Sequence, residues 1–125
     1  MKINHKQFAV ATVLLLVLDY LWLSFFMGKQ YRPLILKIQK SPMEINYISA
    51  MISYSFMILG LYQFIYKYNF SLVDTYLFGA CLYAVYNFTC GAIIKDWDFK
   101  ISFIDIAWGG FVYTASLYIA QKLIK

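Results

Sequence analysis

Ile101-Ser-Phe-Ile-Asp105-Ile-Ala-Trp108-Gly-Gly110 places a carboxylate and an indole three residues apart inside a long apolar run. Residues at that spacing share one face of a helix. The first apolar run carries the same pair, in Asp19-Tyr20-Leu21-Trp22. An acid inside a membrane span is costly and marks a functional position by default. The first and last runs are therefore expected to carry matched polar patches.

Composition makes these runs membrane spans. The chain has 125 residues, enough for one domain. It is 62% hydrophobic and 14% charged, with a mean hydropathy of +0.63. Soluble domains are about 45–50% apolar and about 25% charged, and a soluble chain this short must keep much of its surface wet. The expected fold class is all-α, an integral-membrane four-helix bundle forming a single transmembrane domain over residues 1–125. Its spans fall at about 8–27, 45–66, 72–94 and 101–121, each near the ~20 residues that a crossing needs. The run after Met1–Lys6 is longer than the ~7–15 residues of a signal-peptide core and lacks a small-residue cleavage site, so a retained span is expected.

The connections carry their own signals. Pro33 is suited to open a short helix through Lys40, with Leu34, Ile35 and Ile38 on one side and Lys37 and Lys40 on the other. That segment reads either as a short interfacial amphipathic helix between spans one and two or as a basic loop. Ser41-Pro42-Met43-Glu44 has the form of a helix start for span two. Ser49, Ser53, Phe56, Gly60 and Gln63 then repeat at helical spacing, as a close-packing stripe would. Ser71 and Asp74 form a second capping box, and Trp97 is placed as an interfacial anchor.

Several function classes lose support. The net charge is +5, but the cations flank apolar runs as membrane borders do, so no nucleic-acid partner is expected. Cys81 and Cys90 stand on roughly opposite faces of one helix, and His5 precedes the first span, so no metal site and no cofactor are expected. The sequons at Asn69 and Asn87 abut or lie within a span and are discounted. With four spans, both termini share a side. Lys2, Lys6, Lys67, Lys122 and Lys125 flank that side, while Lys29, Arg32, Lys37, Lys40, Lys95 and Lys100 flank the other. Five cations against six give no orientation.

Counting inward at ~1.5 Å per residue puts Asp19, Asn87 and Asp105 in the same half of the bilayer, facing the first and third loops. Interior-facing stripes are expected to hold Asp19 and Trp22 in span one and Tyr83, Asn87 and Cys90 in span three. In span four the stripe is Asp105, Trp108, Gly109, Val112 and Ser116. Two readings of the acids stand side by side. Asp105 either belongs to an aromatic-walled polar pocket or closes a capping box with Ser102. Asp19 either receives a ligand or binds the bundle through Asn87, Tyr86 or serines.

The motifs Asp19-x-x-Trp22, Tyr86-x-x-Thr89 and Asp105-x-x-Trp108-Gly109 resemble those of the bacterial membrane-protein family called domain of unknown function 2177, in order and over nearly the whole chain. The resemblance implies a small four-span inner-membrane protein with no assigned activity. The family pattern in span three looks like Tyr-Asp-x-Thr-Asn, whereas this chain has Tyr86-Asn87-Phe88-Thr89-Cys90. The sequence thus points to ligand binding at Asp19, Trp22, Tyr86, Asn87, Thr89, Asp105, Trp108 and Gly109. The ligand expected there is a small amphipathic or cationic molecule or a lipid headgroup, held by a binding module or carrier. A lipid-modifying enzyme and an accessory subunit of a larger membrane complex are the alternatives. The partners expected are the lipid bilayer, that ligand, and a second copy or a larger membrane protein.

Overall fold

A computed structural model describes residues 3–124, which form helices and no strand. Lys2 and Lys125, both counted in the charge comparison, lie outside the described residues. Among the described residues, four helices are long and apolar enough to cross a membrane: α1 (His5–Gln39), α2 (Tyr47–Tyr66), α3 (Leu72–Ile93) and α4 (Phe99–Leu123). α3 and α4 pack against each other along their lengths, and α1 lies against α4.

α1 departs most from expectation. It starts in a capping box, in which Asn4 accepts from the Gln7 backbone N–H at 2.8 Å and the Gln7 side chain accepts from the Asn4 N–H at 2.9 Å. It then continues past Met27 instead of giving way to a connection. The segment Leu23–Met27 winds as a wide π turn, closed by the Gly28 N–H on the Leu23 carbonyl. A Cβ at Gly28 would strike that same carbonyl, so the wide turn needs glycine there. Pro33 lies inside the helix rather than opening one. Its ring leaves the carbonyl of residue i−4, Lys29, without an internal donor, but Lys29 is exposed.

Helix starts are also corrected. Lys40 adopts a left-handed conformation (φ 59°) and ends α1. The Gln39 amide then donates to the Ser41 and Pro42 carbonyls at 3.2 and 3.0 Å. The Ser41 carbonyl, which would accept the first bond of a helix capped at Ser41, is thereby engaged. The cap of α2 moves to Asn46, whose side chain accepts from the Ser49 N–H. Ser71 caps α3 as expected. Asp98, not Ser102, caps α4, accepting from Lys100 and Ile101. The Ser102 hydroxyl instead accepts from the Trp97 indole at 3.0 Å and donates to the Asp98 carbonyl. Trp97 is accordingly buried rather than a surface anchor, and Asp105 is free of any capping role.

The core fills one half of the bundle. Ala11 and Leu15 of α1 meet Leu61 and Ile65 of α2 and Tyr113 and Leu117 of α4. The Tyr113 hydroxyl donates to the Met57 carbonyl at 3.0 Å, and the Gln7 amide donates to the Ile124 carbonyl at 2.7 Å. Of the serine-glycine stripe expected to pack α2, only Gly60 is buried; Ser53 and Phe56 face outward. The packed face is Tyr54, Met57, Leu61 and Ile65. In lipid, apolarity does not choose a packing face, so shape and hydrogen bonding do.

On α4 the expected stripe holds: Asp105, Gly109, Val112 and Ser116 are all buried, with Trp108 half-buried. Among the described residues, the Ser116 hydroxyl is the one buried side-chain polar atom without a partner. Removing an unpaired polar group recovers its desolvation cost of about 1 kcal/mol. Ser116→Ala is therefore expected to raise the thermal midpoint slightly in mild detergent, and a fall would mean that the hydroxyl is satisfied in the membrane.

Candidate functional site

The two Asp-x-x-Trp motifs meet, and they do so crosswise. α1 and α4 lie side by side, and each helix's indole donates to the other's carboxylate. Trp22 Nε1 donates to Asp105 Oδ1 at 3.0 Å, and Trp108 Nε1 donates to Asp19 Oδ1 at 3.2 Å. The two indoles stack face to face with centroids 4.4 Å apart and planes 4° apart. Such a pair contributes about 0.5–1.5 kcal/mol beyond its area. Phe26 also stacks on Trp22, and Phe111 tilts against Trp108. Three-residue spacing makes this possible: on each helix it sets the acid and the indole one turn apart on a common face.

α3 completes each carboxylate's partners. Tyr83 donates to Asp19 Oδ1 at 2.6 Å. Asn87, one turn beyond Tyr83, donates through Nδ2 to Asp105 Oδ2 at 2.8 Å and to the Tyr83 carbonyl at 2.9 Å. Its Oδ1 accepts from the Tyr31 hydroxyl at 3.2 Å. Tyr31 belongs to the distal part of α1 and also packs its ring near Trp97. Asp19 is 4% exposed, Asp105 5% and Asn87 0%. Among the described residues, every donor to the carboxylates is neutral. No Lys, Arg or His occurs between Gln7 and Gly28, in α2 or α3, or between Ile101 and Gln121.

Gly109 supports the site from behind. It faces Gly79 of α3, and the ring of Tyr83 lies where a Cβ would stand. The close crossing of α3 and α4 thus holds Tyr83 against Asp19.

Of the eight residues expected at the site, Asp19, Trp22, Asn87, Asp105 and Trp108 come together and Gly109 backs them. Tyr86 and Thr89 do not join them. Tyr86 is 56% exposed and Thr89 also faces outward, because α3 turns them away when it presents Asn87. Asp19 bonds to Tyr83 and Trp108, not to Asn87, Tyr86 or a serine. Sequence reasoning placed Tyr83 on the inner stripe without giving it a role, although it stands one turn before Asn87. It had no signal for Tyr31, whose position depends on the unbroken α1. Two surface grooves lie away from the cluster, one along α3 and α4 around Tyr76 and Phe111 and one at Arg32 and Pro42.

These features define a four-helix membrane protein built around a buried carboxylate–indole cluster to which α1, α3 and α4 contribute. The family described as a predicted membrane protein (DUF2177) matches residues 4–121, and the chain belongs to it. No curated protein matches the chain, and no solved structure does.

Proposed function

We propose that the protein is a membrane-embedded binding module or carrier that receives a cationic or amphipathic small molecule, or a lipid headgroup, at Asp19 and Asp105. The observation that carries this reading is the pairing of two deeply buried carboxylates exclusively with neutral donors. An aspartate at mid-span costs about 2.5–3.5 kcal/mol to insert. Hydrogen bonds between membrane helices return about 0.6 kcal/mol each on average and about 1.7 at most. At that average, two neutral bonds per acid offset the cost only in part, so packing alone is a poor reason for two acids. A cation supplies the missing opposite charge, and once the Trp22–Trp108 stack opens, the indole faces add a cation–π surface for an ammonium group. On this reading the protein sits in a bacterial-type inner membrane with both termini on one side.

The test uses tetraphenylphosphonium and dodecylamine as probes, followed by the emission of the tryptophans. In the wild type, entry of a cation disturbs the Trp22–Trp108 stack and gives a saturable change. In the Asp19→Asn, Asp105→Asn double variant the apparent affinity is expected to fall at least tenfold, the ~1.4 kcal/mol or more that a charge-assisted contact carries. Equal binding of both probes by wild type and variant would end this reading.

A further inference from the structure

We propose that the outer face of the distal part of α1 is a second binding site, for the phosphate of an anionic phospholipid. With 35 residues, α1 is about 52 Å long, roughly 20 Å more than the hydrocarbon core. The residues Gly28–Gln39 therefore carry it out of the apolar layer. They hold Lys29, Arg32 and Lys37, with Lys40 at the cap, and no acid occurs between Asp19 and Glu44. At ~100° per residue, Lys29, Arg32 and Lys37 fall on one side of the helix together with Pro33 and Leu36, and Lys40 follows at the left-handed cap. Tyr31, Leu34, Ile35 and Ile38 take the opposite side and are half-buried, whereas the cations are exposed. Tyr31 fixes this orientation by reaching Asn87. The basic face therefore looks outward at the level where headgroups lie.

The surface there is shaped as well as charged. A groove is lined by Arg32, Pro33, Leu36, Pro42 and Met43, so a guanidinium stands over an apolar floor. A phospholipid offers the complement of both: a phosphate for Arg32, whose planar fork suits it, and glycerol and upper acyl carbons for Leu36 and Met43. Basic clusters just outside a span attract anionic lipid, with each cation strengthening binding about fivefold. A free anion would use the charge but not the floor. This inference is independent of the proposed function at Asp19 and Asp105, which it neither uses nor supports.

The test counts lipid adducts on the purified full chain by native mass spectrometry, titrating phosphatidylglycerol and phosphatidylcholine separately. The wild type is expected to retain phosphatidylglycerol in preference to phosphatidylcholine. The Arg32→Gln, Lys37→Gln double variant is expected to lose that preference by about tenfold or more. Both side chains are exposed, and circular dichroism verifies that the variant is folded. Lys95→Gln, Lys100→Gln, which removes two cations from other segments, is expected to leave the preference intact. The proposal is overturned if the first variant binds phosphatidylglycerol like the wild type, if the second loses as much, or if inorganic phosphate displaces the lipid.

Discussion

A methyl group at Gly109 is expected to force α3 away from α4 and to dismantle the carboxylate cluster in the same step. A Cβ built there lies 2.7 Å from the Gly79 carbonyl oxygen and overlaps the Tyr83 ring. The carbonyl is backbone and cannot rotate aside, so relief requires the helices to separate. In lipid, no hydrophobic gain draws them back together. Overpacking typically costs about 1–3 kcal/mol, and a backbone collision at the closest crossing belongs at the upper end. Gly109→Ala is therefore expected to cost about 3 kcal/mol, and Gly109→Val more. Displacing Tyr83 also removes the shortest hydrogen bond to Asp19. Gly91 provides the contrast, because the three atoms nearest to a Cβ there all belong to the Phe99 ring. Phe99 is exposed and can swing, so Gly91→Ala is expected to cost well under 1 kcal/mol. Thermal midpoints of the three variants in one mild detergent decide this. Equal midpoints for Gly91→Ala and Gly109→Ala would show that the crossing is looser than described.

What the sequence discloses here follows from how local each cause is. The four helices were legible because a ~20-residue apolar run has few other stable forms in a bilayer. The buried stripe of α4 was legible because acid, indole, glycine and serine recur at helical spacing on one face. The crossing of the two Asp-x-x-Trp motifs was not. Spacing places Asp105 and Trp108 on one face, but which acid each indole meets depends on the antiparallel approach of α1 and α4. Tyr86 and Thr89 show the converse failure. Their motif is conspicuous in sequence, yet the rotation of α3 that presents Asn87 turns both outward. Tyr31 was hidden for a third reason. A proline five residues past a glycine reads as the start of a new helix, and only the π turn at Leu23–Met27 reveals a continuous one.

Asn87 is where a single substitution is expected to disturb the most partners. Its amide donates to Asp105 and to the Tyr83 carbonyl, and its oxygen accepts from Tyr31. Asn87→Leu removes all three bonds while Asp105 remains buried. Leaving a charged group short of a donor costs more than the about 1–3 kcal/mol for a neutral one, so a loss of at least about 3 kcal/mol is expected. Asn87→Asp differs in kind. It keeps nearly the same shape and the acceptor for Tyr31, and it restores the acid that the resemblance to the family pattern implies at this position. Two carboxylates 2.8 Å apart can form a hydrogen bond only through a shared proton. The folded variant then holds a proton that the unfolded chain releases at neutral pH. Its stability must rise as pH falls and be lost as pH rises. Thermal midpoints at about pH 5 and about pH 8 are expected to separate the substitutions, with Asn87→Asp approaching the wild type in acid and Asn87→Leu staying below it at both, because a proton on Asp105 does not restore the bonds to Tyr31 and the Tyr83 carbonyl. If the two variants behave alike at both pH values, the donor on Asn87 is not what holds Asp105. If only Asn87→Asp recovers, the cluster accepts a proton in place of an amide, and that proton then occupies the position opposite the acid where a cationic ligand would bind.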